Sequence, residues 1–234
     1  MTQRIASRSF RAAMQSFFIE MIVEPNITTY LYSIEPDGPE DLEQLRSYAL
    51  SRGVPIIRRE MEPFLKVLLK SSCPGTILEI GTGIGYSALF MNRIVPKARI
   101  TTIENYEPRL EEARKVLHPE PNIELLEGDG VQILTRLTGP YDLIFLDSAK
   151  GQYLTMLPDL IRVLSEGGIL LADNVLQDGE LVKSRYLIPR RQRTIHSRMR
   201  QFVWEVKHHP ELDSALLTVG DGVMLCRKKG KEER

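Results

Sequence analysis

Residues 76–90 read TILEIGTGIGYSALF, and this stretch decides the fold. TILEI (76–80) is a short apolar run that breaks into Gly81, Gly83 and Gly85 before an amphipathic stretch begins near 86 and continues to 95. Glycine at such a junction lets the backbone turn tightly and approach a ligand closely. The pattern then repeats. RITTIE (99–104), NIELLEG (122–128), YDLIFLD (141–147) and GGILLAD (167–173) read as strands, with helical stretches near 107–117, 129–137 and 152–164 between them. Strands apolar on both faces and alternating with helices predict a parallel sheet covered on both sides.

Working outward, Leu42, Leu45, Ala49 and Leu50 fall at helical spacing over 41–51, and Pro39, Glu40 and Asp41 suit a first helical turn. A second helix carries Met61, Phe64, Leu65, Leu68 and Leu69 on one face and stops at the breaker cluster SSCPG (71–75). After Asp173 a polar loop leads to a helix near 190–207, whose buried side would hold Ile195, Met199, Phe202, Val203 and Val206. SALLTV (214–219) and GVMLCRK (222–228), around Gly220-Asp221-Gly222, read as an antiparallel hairpin. The expected fold is therefore one doubly wound α/β domain: a mostly parallel seven-stranded sheet with N-terminal helices and a C-terminal antiparallel hairpin. It would occupy 39–229, between an N-terminal extension (1–38) and a charged tail (230–234).

Composition narrows the class. With 234 residues, 42 % hydrophobic and 26 % charged, the chain is neither disordered, collagen-like nor a bare coiled coil. Its 31 basic residues balance 31 acidic ones, so any nucleic-acid site must come from local clustering. Cys73 and Cys226 form no CxxC pair, which points to reduced thiols and a cytoplasmic setting. No apolar run approaches the ~20 residues of a membrane span. The start, MTQRIASRSFRAAMQSFFIE, has Arg4, Arg8 and Arg11 and no acid before Glu20, without the apolar core of a secretory signal. A transit peptide, a basic arm, and an upstream start preceding a true beginning at Met21 all remain open.

Glu79 lies two residues before the first glycine, where it would repel a pyrophosphate and attract a cationic amino-acid group. Glu104 ends the second strand, about the ~20 residues onward where a ribose-binding carboxylate belongs. Asp129, in EGDG, ends the third and could meet an adenine amino group. Together they fit a nucleoside bearing a positive amino acid, which describes S-adenosylmethionine. Each carboxylate taken singly could equally cap the helix that follows it. The fourth and fifth strands end in LDSAK (146–150) and LLADN (170–174), so Asp147, Asp173 and Asn174 offer hard oxygens suited to Mg²⁺. Asp173-Asn174 could also be a simple turn. Lys150 sits at the same mouth, where a nearby cation would lower its pKa and make it a general base. His118, His196, His208 and His209 lack HExxH spacing and read as surface or packing residues. Residues 183–200 hold Lys183, Arg185, Arg190, Arg191, Arg193, Arg198 and Arg200 without one acid, which suits either a solvated face or a grip on phosphates.

On LEIGTGIGYS, TIE, LDSAKGQY and ADNV the chain resembles the metal-dependent class I O-methyltransferases of the catechol and caffeoyl-CoA type, over roughly residues 40–227. That resemblance implies a Rossmann-like methyltransferase fold, with S-adenosylmethionine held by Glu79, Gly81, Gly83, Gly85, Glu104, Asp129, Gly130 and Asp147. It further implies Val54 and Ser87 as cofactor contacts, Mg²⁺ on Asp147, Asp173 and Asn174, catalysis by Lys150 with Asp147, and often a homodimer. LRSYALSRGVPI, LDSAKGQY, ADNVLQDG, the PRRQR run and VGDGVML look like the bacterial tRNA 5-hydroxyuridine methyltransferases. This implies 5-methoxyuridine formation at the wobble position, with Arg190, Arg191 and Arg193 against the anticodon loop. A small-molecule acceptor with catechol-like hydroxyls is the alternative. A non-catalytic cofactor binder fits less well, since Asp147, Lys150, Asp173 and Asn174 are all present. An NAD oxidoreductase is disfavoured by Glu79 and the GxGxG spacing.

Overall fold

The computed structural model describes residues 23–233. Seven strands form one sheet in the order β3-β2-β1-β4-β5-β7-β6. They are β1 (Thr76–Ile80), β2 (Arg99–Glu104), β3 (Ile123–Glu127), β4 (Tyr141–Leu146), β5 (Leu164–Ala172), β6 (Leu212–Leu217) and β7 (Val223–Lys228). β1 to β5 pair in parallel, β7 runs antiparallel to β5, and β6 is antiparallel to β7. The expected doubly wound sheet with its terminal hairpin is the observed one. β5 starts three residues earlier than the sequence reading, with a register shift against β4 between Tyr141 and Leu143.

Eight α-helices are described: α1 (Pro25–Ile34), α2 (Glu40–Arg52), α3 (Met61–Ser72), α4 (Tyr86–Ile94), α5 (Glu107–Leu117), α6 (Gly130–Arg136), α7 (Tyr153–Val163) and α8 (Arg193–His208). Strand side chains alternate between two cores, as the two-residue period requires. Leu78, Ile80, Ile144, Leu146, Leu170 and Ala172 meet α7 and α8 on one face, where Tyr153, Met156, Leu160, Met199 and Phe202 are buried. Ile77, Leu143, Phe145 and Leu171 meet α2 to α5 on the other, through Leu42, Leu65, Phe90, Met91 and Leu117. α1 was not foreseen within the extension. None of its side chains is buried, and Tyr32 Oη donates to Glu60 Oε2 at 2.7 Å. The expectations for residues 1–20 lie outside the described residues. No helix among those described is long and apolar enough to cross a membrane.

Two polar devices brace the sheet from inside. Lys228, buried at the end of β7, donates from Nζ to the Ile161 and Leu164 carbonyls at 2.6 and 2.8 Å, closing the C-terminus of α7 with a cation. At the opposite edge from the candidate site, Asp142 Oδ2 accepts from the Gly75 and Thr76 N–H groups at 2.9 and 3.0 Å and from Thr76 Oγ1 at 3.1 Å. Its Oδ1 accepts from Ser165 Oγ at 3.1 Å. One carboxylate thus ties β1, β4 and β5 together.

Burial works to raise the Asp142 carboxyl, and the Gly75, Ser165 and Thr76 donors outweigh it and hold it below its ordinary value. A folded-state pKa below the unfolded one stabilises the fold above the unfolded value near 3.9, and this contribution fades as pH falls through the folded value. Asp142→Ala is expected to cost about 2 kcal/mol at neutral pH, since it strands two backbone donors. Its acid-unfolding profile should be shallower than the parent's below about pH 4. Equal melting temperatures for parent and variant from neutral pH down to about pH 4 would contradict this role.

Candidate active site at the carboxyl edge of the sheet

The glycine loop is shaped by what lies next to it. Gly81 has φ +106°, and a Cβ there would lie 2.0 Å from the Asp147 carbonyl, so the ends of β1 and β4 meet only because position 81 has no side chain. Gly83 and Gly85 also adopt positive φ, and a Cβ at Gly83 would meet nothing closer than 3.9 Å. The loop therefore opens onto a cavity of about 610 Å³, within the usual range for small-ligand sites. Its walls include Gly81, Gly83, Ser87, Glu104, Tyr106, Gly130, Asp147 and Lys150.

The three strand-end carboxylates play three different parts. Glu104 lines the cavity, with Oε2 accepting from Gly83 N–H at 2.9 Å and Oε1 from Asn105 and Tyr106 N–H at 2.9 and 3.0 Å. Glu79 is fully buried behind the loop and accepts from Thr102 Oγ1. Burial pushes its carboxyl up to about 7, against the Ser87 and Thr102 hydroxyls and with the charges of Asp147 and Glu104. Its Oε1 is buried without a hydrogen-bond partner at normal geometry, an orphaned acceptor suited to a cationic neighbour. Asp129 caps α6, accepting from Gln132 N–H at 3.0 Å, while its neighbours Gly128 and Gly130 line the cavity. Val54 sits just before the lining residues Pro55–Arg58 and donates its N–H to the Ala49 carbonyl at 2.9 Å.

Asp147, Asp173 and Asn174 converge, as their strand ends foretold, and Lys150 lies between them. Its Nζ donates to Asp147 Oδ1 and Asn174 Oδ1, both at 2.9 Å, and to Tyr153 Oη at 3.0 Å. Burial acts to lower the lysine's pKa, but Tyr153 and Asp147 outweigh it and hold the ammonium above its ordinary value. Asp173 is driven well above the usual carboxylate range, first by burial and then by the charge of Asp147, although Asn174 N–H donates to its Oδ1 at 2.7 Å. The cluster thus wants more positive charge than one lysine supplies. Two carboxylates and an amide carbonyl are hard oxygens of the kind Mg²⁺ prefers. No group of three or more His, Cys, Asp or Glu side chains suited to a metal occurs among the described residues; the triad expected from the sequence has only two carboxylates, its third oxygen being the Asn174 amide.

Several contributors escaped the sequence reading. Tyr153 is fully buried, its hydroxyl within 3.0 Å of the Leu146 carbonyl and 3.2 Å of that of Asp173, so it fixes Lys150 from below. Only its position three after Lys150, one turn on, hints at this. Arg46, Glu62 and Tyr86 form a buried cluster that joins α2, α3 and α4 behind the cavity. Arg58 pairs with Asp178, whose N–H donates to Asp221, and all three residues line the cavity. Asn174, Gln177 and Asp178 each adopt φ near +50°, so this segment bends sharply away from the end of β5.

A second cavity, of about 920 Å³, adjoins the first through Ala149, Lys150 and Asp178. Leu187, Ile188, Pro189 and Ile195 make its apolar wall, with Gln177, Gln192, Glu180 and His196 as polar members. His196, read from sequence as packing or surface, is 2 % exposed with neither ring nitrogen hydrogen-bonded. The basic run follows this wall. Arg190 and Arg191 are exposed, whereas Arg193 is half-buried and donates to the Ile188 and Tyr186 carbonyls at 3.0 and 3.4 Å. Arg198 donates to the Gly151 carbonyl at 3.2 Å, and Lys183 pairs with Glu180. Arg185, Arg190, Arg191 and Arg200 have no carboxylate partner among the described residues.

Comparison with known proteins agrees with this arrangement. A family model described as O-methyltransferase matches residues 33–229. Caffeoyl-CoA O-methyltransferase 2 of Populus trichocarpa is 30 % identical over 213 residues, covering 84 % of this chain and 85 % of that protein. Tapetum-specific methyltransferase 1 of Arabidopsis thaliana is 29 % identical over 209 residues, covering 82 % and 88 %. Among solved structures, the SAH-bound methyltransferase PaMTH1 of Podospora anserina superposes with a TM-score of 0.79 at 26 % identity, covering 88 % of this chain and 94 % of that one. With the family match spanning most of the chain and the glycine loop, strand-end carboxylates and lysine cluster all on one sheet edge, the chain belongs to the O-methyltransferase family.

Proposed function

We propose that the chain is an S-adenosylmethionine-dependent O-methyltransferase whose acceptor presents two neighbouring oxygens, and that this acceptor is 5-hydroxyuridine at the wobble position of tRNA. The observation that carries the reaction class is the Asp147–Lys150–Asn174 cluster, with Asp173 beside it, in the first cavity, where Lys150 also lines the second. The first cavity takes the cofactor: Gly81 and Gly83 allow close approach, Glu104 faces the ribose, and Glu79 supplies negative charge behind the amino-acid end. The second takes the acceptor ring between apolar walls.

Asp147, Asp173 and Asn174 would hold a divalent cation, which would supply Lewis acidity and a template for two vicinal oxygens. In 5-hydroxyuridine those oxygens are the C5 hydroxyl and the C4 carbonyl; in a catechol they are the two hydroxyls. Lys150 Nζ is the protein nitrogen placed to exchange a proton with the acceptor hydroxyl, and Tyr153 and Asp147 fix its position. S-adenosylmethionine in the first cavity would supply the methyl group and leave as S-adenosylhomocysteine. The acceptor hydroxyl's proton would pass to Lys150 Nζ in its neutral form, which a cation held by Asp147 and Asp173 would favour over the ammonium found here. The protein's contribution is orientation and charge.

The arginines beside the second cavity that have no carboxylate partner among the described residues favour an RNA acceptor, because phosphates are the natural counter-charge for such a cluster. The caffeoyl-CoA O-methyltransferases among the relatives favour the second reading, a small catechol-like acceptor. Parallel assays separate the two. Purified protein, labelled cofactor and Mg²⁺ are incubated with tRNA carrying 5-hydroxyuridine or with a catechol, and the tRNA nucleosides are analysed by mass spectrometry. EDTA-sensitive 5-methoxyuridine is the expected product. Methylation of the catechol alone would replace the RNA reading with the small-molecule one.

Asp173→Ala is expected to lower methyl transfer by more than about 100-fold while equilibrium dialysis still detects cofactor binding. Undiminished turnover in that variant would overturn the role given to the cluster. Arg190→Ala/Arg191→Ala should weaken tRNA binding and flatten the slope of log affinity against log salt by about 2. An unchanged slope would return these arginines to a solvated face. Arg193 is left out of this variant because its guanidinium holds the 186–188 backbone.

A further inference from the structure

We infer that residues 182–187 form a base-stacking platform for RNA beside the second cavity, with Tyr186 as its stacking face; the inference rests on the RNA-acceptor reading above. Three of the six side chains stand in water: Val182 is 77 % exposed, Tyr186 85 % and Leu187 74 %. Folding gains nothing from an apolar group left in solvent, and three such groups within six residues, two of them adjacent, suit an interaction surface.

The strip is held in place rather than left loose. Leu181 and Ile188 are buried at its two ends. Leu187 N–H donates to the Ser184 carbonyl at 2.9 Å and Ile188 N–H to that of Arg185 at 3.3 Å. From α8, the Arg193 guanidinium donates to the Tyr186 and Ile188 carbonyls. The backbone is fixed while the tyrosine ring is left outward, so little backbone freedom remains to be lost on binding.

Charge selects the partner. Arg185, Arg190 and Arg191 flank the ring in the chain, each without a carboxylate partner among the described residues. Of the acids that line the second cavity with Leu187, Glu180 is paired with Lys183 and Asp178 with Arg58. An aromatic face set among cations fits a single-stranded nucleic acid, whose bases stack on the ring while its phosphates meet the guanidiniums. Leu187 belongs both to the strip and to the wall of the second cavity. A nucleotide next to the acceptor base would therefore reach Tyr186.

The test measures tRNA affinity across a salt series for the parent, Tyr186→Ala and Tyr186→Phe, with S-adenosylmethionine binding by equilibrium dialysis as a control for an intact fold. Tyr186→Ala is expected to weaken binding by about 5- to 100-fold at every salt concentration. Its salt slope should match the parent's, because stacking releases no counterions. Tyr186→Phe should bind like the parent, and cofactor binding should be equal in all three. Parental affinity in Tyr186→Ala, or a loss that Phe does not restore, overturns the platform. A changed oligomeric state with unchanged tRNA affinity also overturns it, and assigns the strip to a second copy of the chain. If Arg190→Ala/Arg191→Ala loses affinity while Tyr186→Ala does not, the platform falls and the RNA reading stands. If the parent binds tRNA and Tyr186→Ala weakens it, but no 5-methoxyuridine forms, the platform stands and the substrate assignment falls.

Discussion

The ammonium of Lys150, held between Asp147 and Asn174 with buried Asp173 alongside, is the interaction around which the carboxyl edge of the sheet is organised. Two carboxylates in a partly dry site cannot both keep their charge cheaply. Burial and the field of Asp147 already drive Asp173 upward although the lysine is present. Asp173 in such a cluster either keeps its proton or gains a cation beside it, and this makes the site a place suited to cations and to acceptors whose oxygens develop negative charge.

The rest of the fold serves that concentration of charge. β1 and β4 end side by side because Gly81 lets the Asp147 carbonyl come within reach of its Cα. β5 brings Asp173, and the left-handed bend at Asn174 turns its amide back toward the lysine. Tyr153 locks Lys150 from beneath through the Leu146 and Asp173 carbonyls. At the far edge, Asp142 and Lys228 brace the strands and α7, so the carboxyl ends project from a stiff frame. The first cavity, on the glycine side, and the second, under α8, share Lys150 as a common wall.

Much of this was legible in the residues. Apolar runs alternating with amphipathic ones give the sheet order its raw material, and glycine clusters and strand-end acids mark where a parallel sheet presents its chemistry. Boundaries of β1, β2 and α5 agree to the residue with the sequence reading. What stayed hidden depends on contacts between distant segments. Asp129 as a helix cap and Asp129 as a ligand look alike in sequence, and the cap shows only in the folded chain, in the Gln132 contact of one of its oxygens. The Arg46–Glu62–Tyr86 cluster and the Arg58–Asp178 pair join residues 16 to 120 positions apart. The basic run read as uniform, whereas three-dimensional packing divides it: Arg193 and Arg198 hold backbone carbonyls, and Arg190 and Arg191 face solvent.

Most of the proposed chemistry depends on a divalent-cation site formed by Asp147, Asp173 and Asn174 beside Lys150. Titration of the purified chain with Mn²⁺, followed by electron paramagnetic resonance, tests it without reference to any acceptor. One bound ion per chain is predicted, displaced by excess Mg²⁺ and lost in Asp147→Ala. Mn²⁺ that remains free throughout the titration, or binding that survives removal of Asp147, would contradict it.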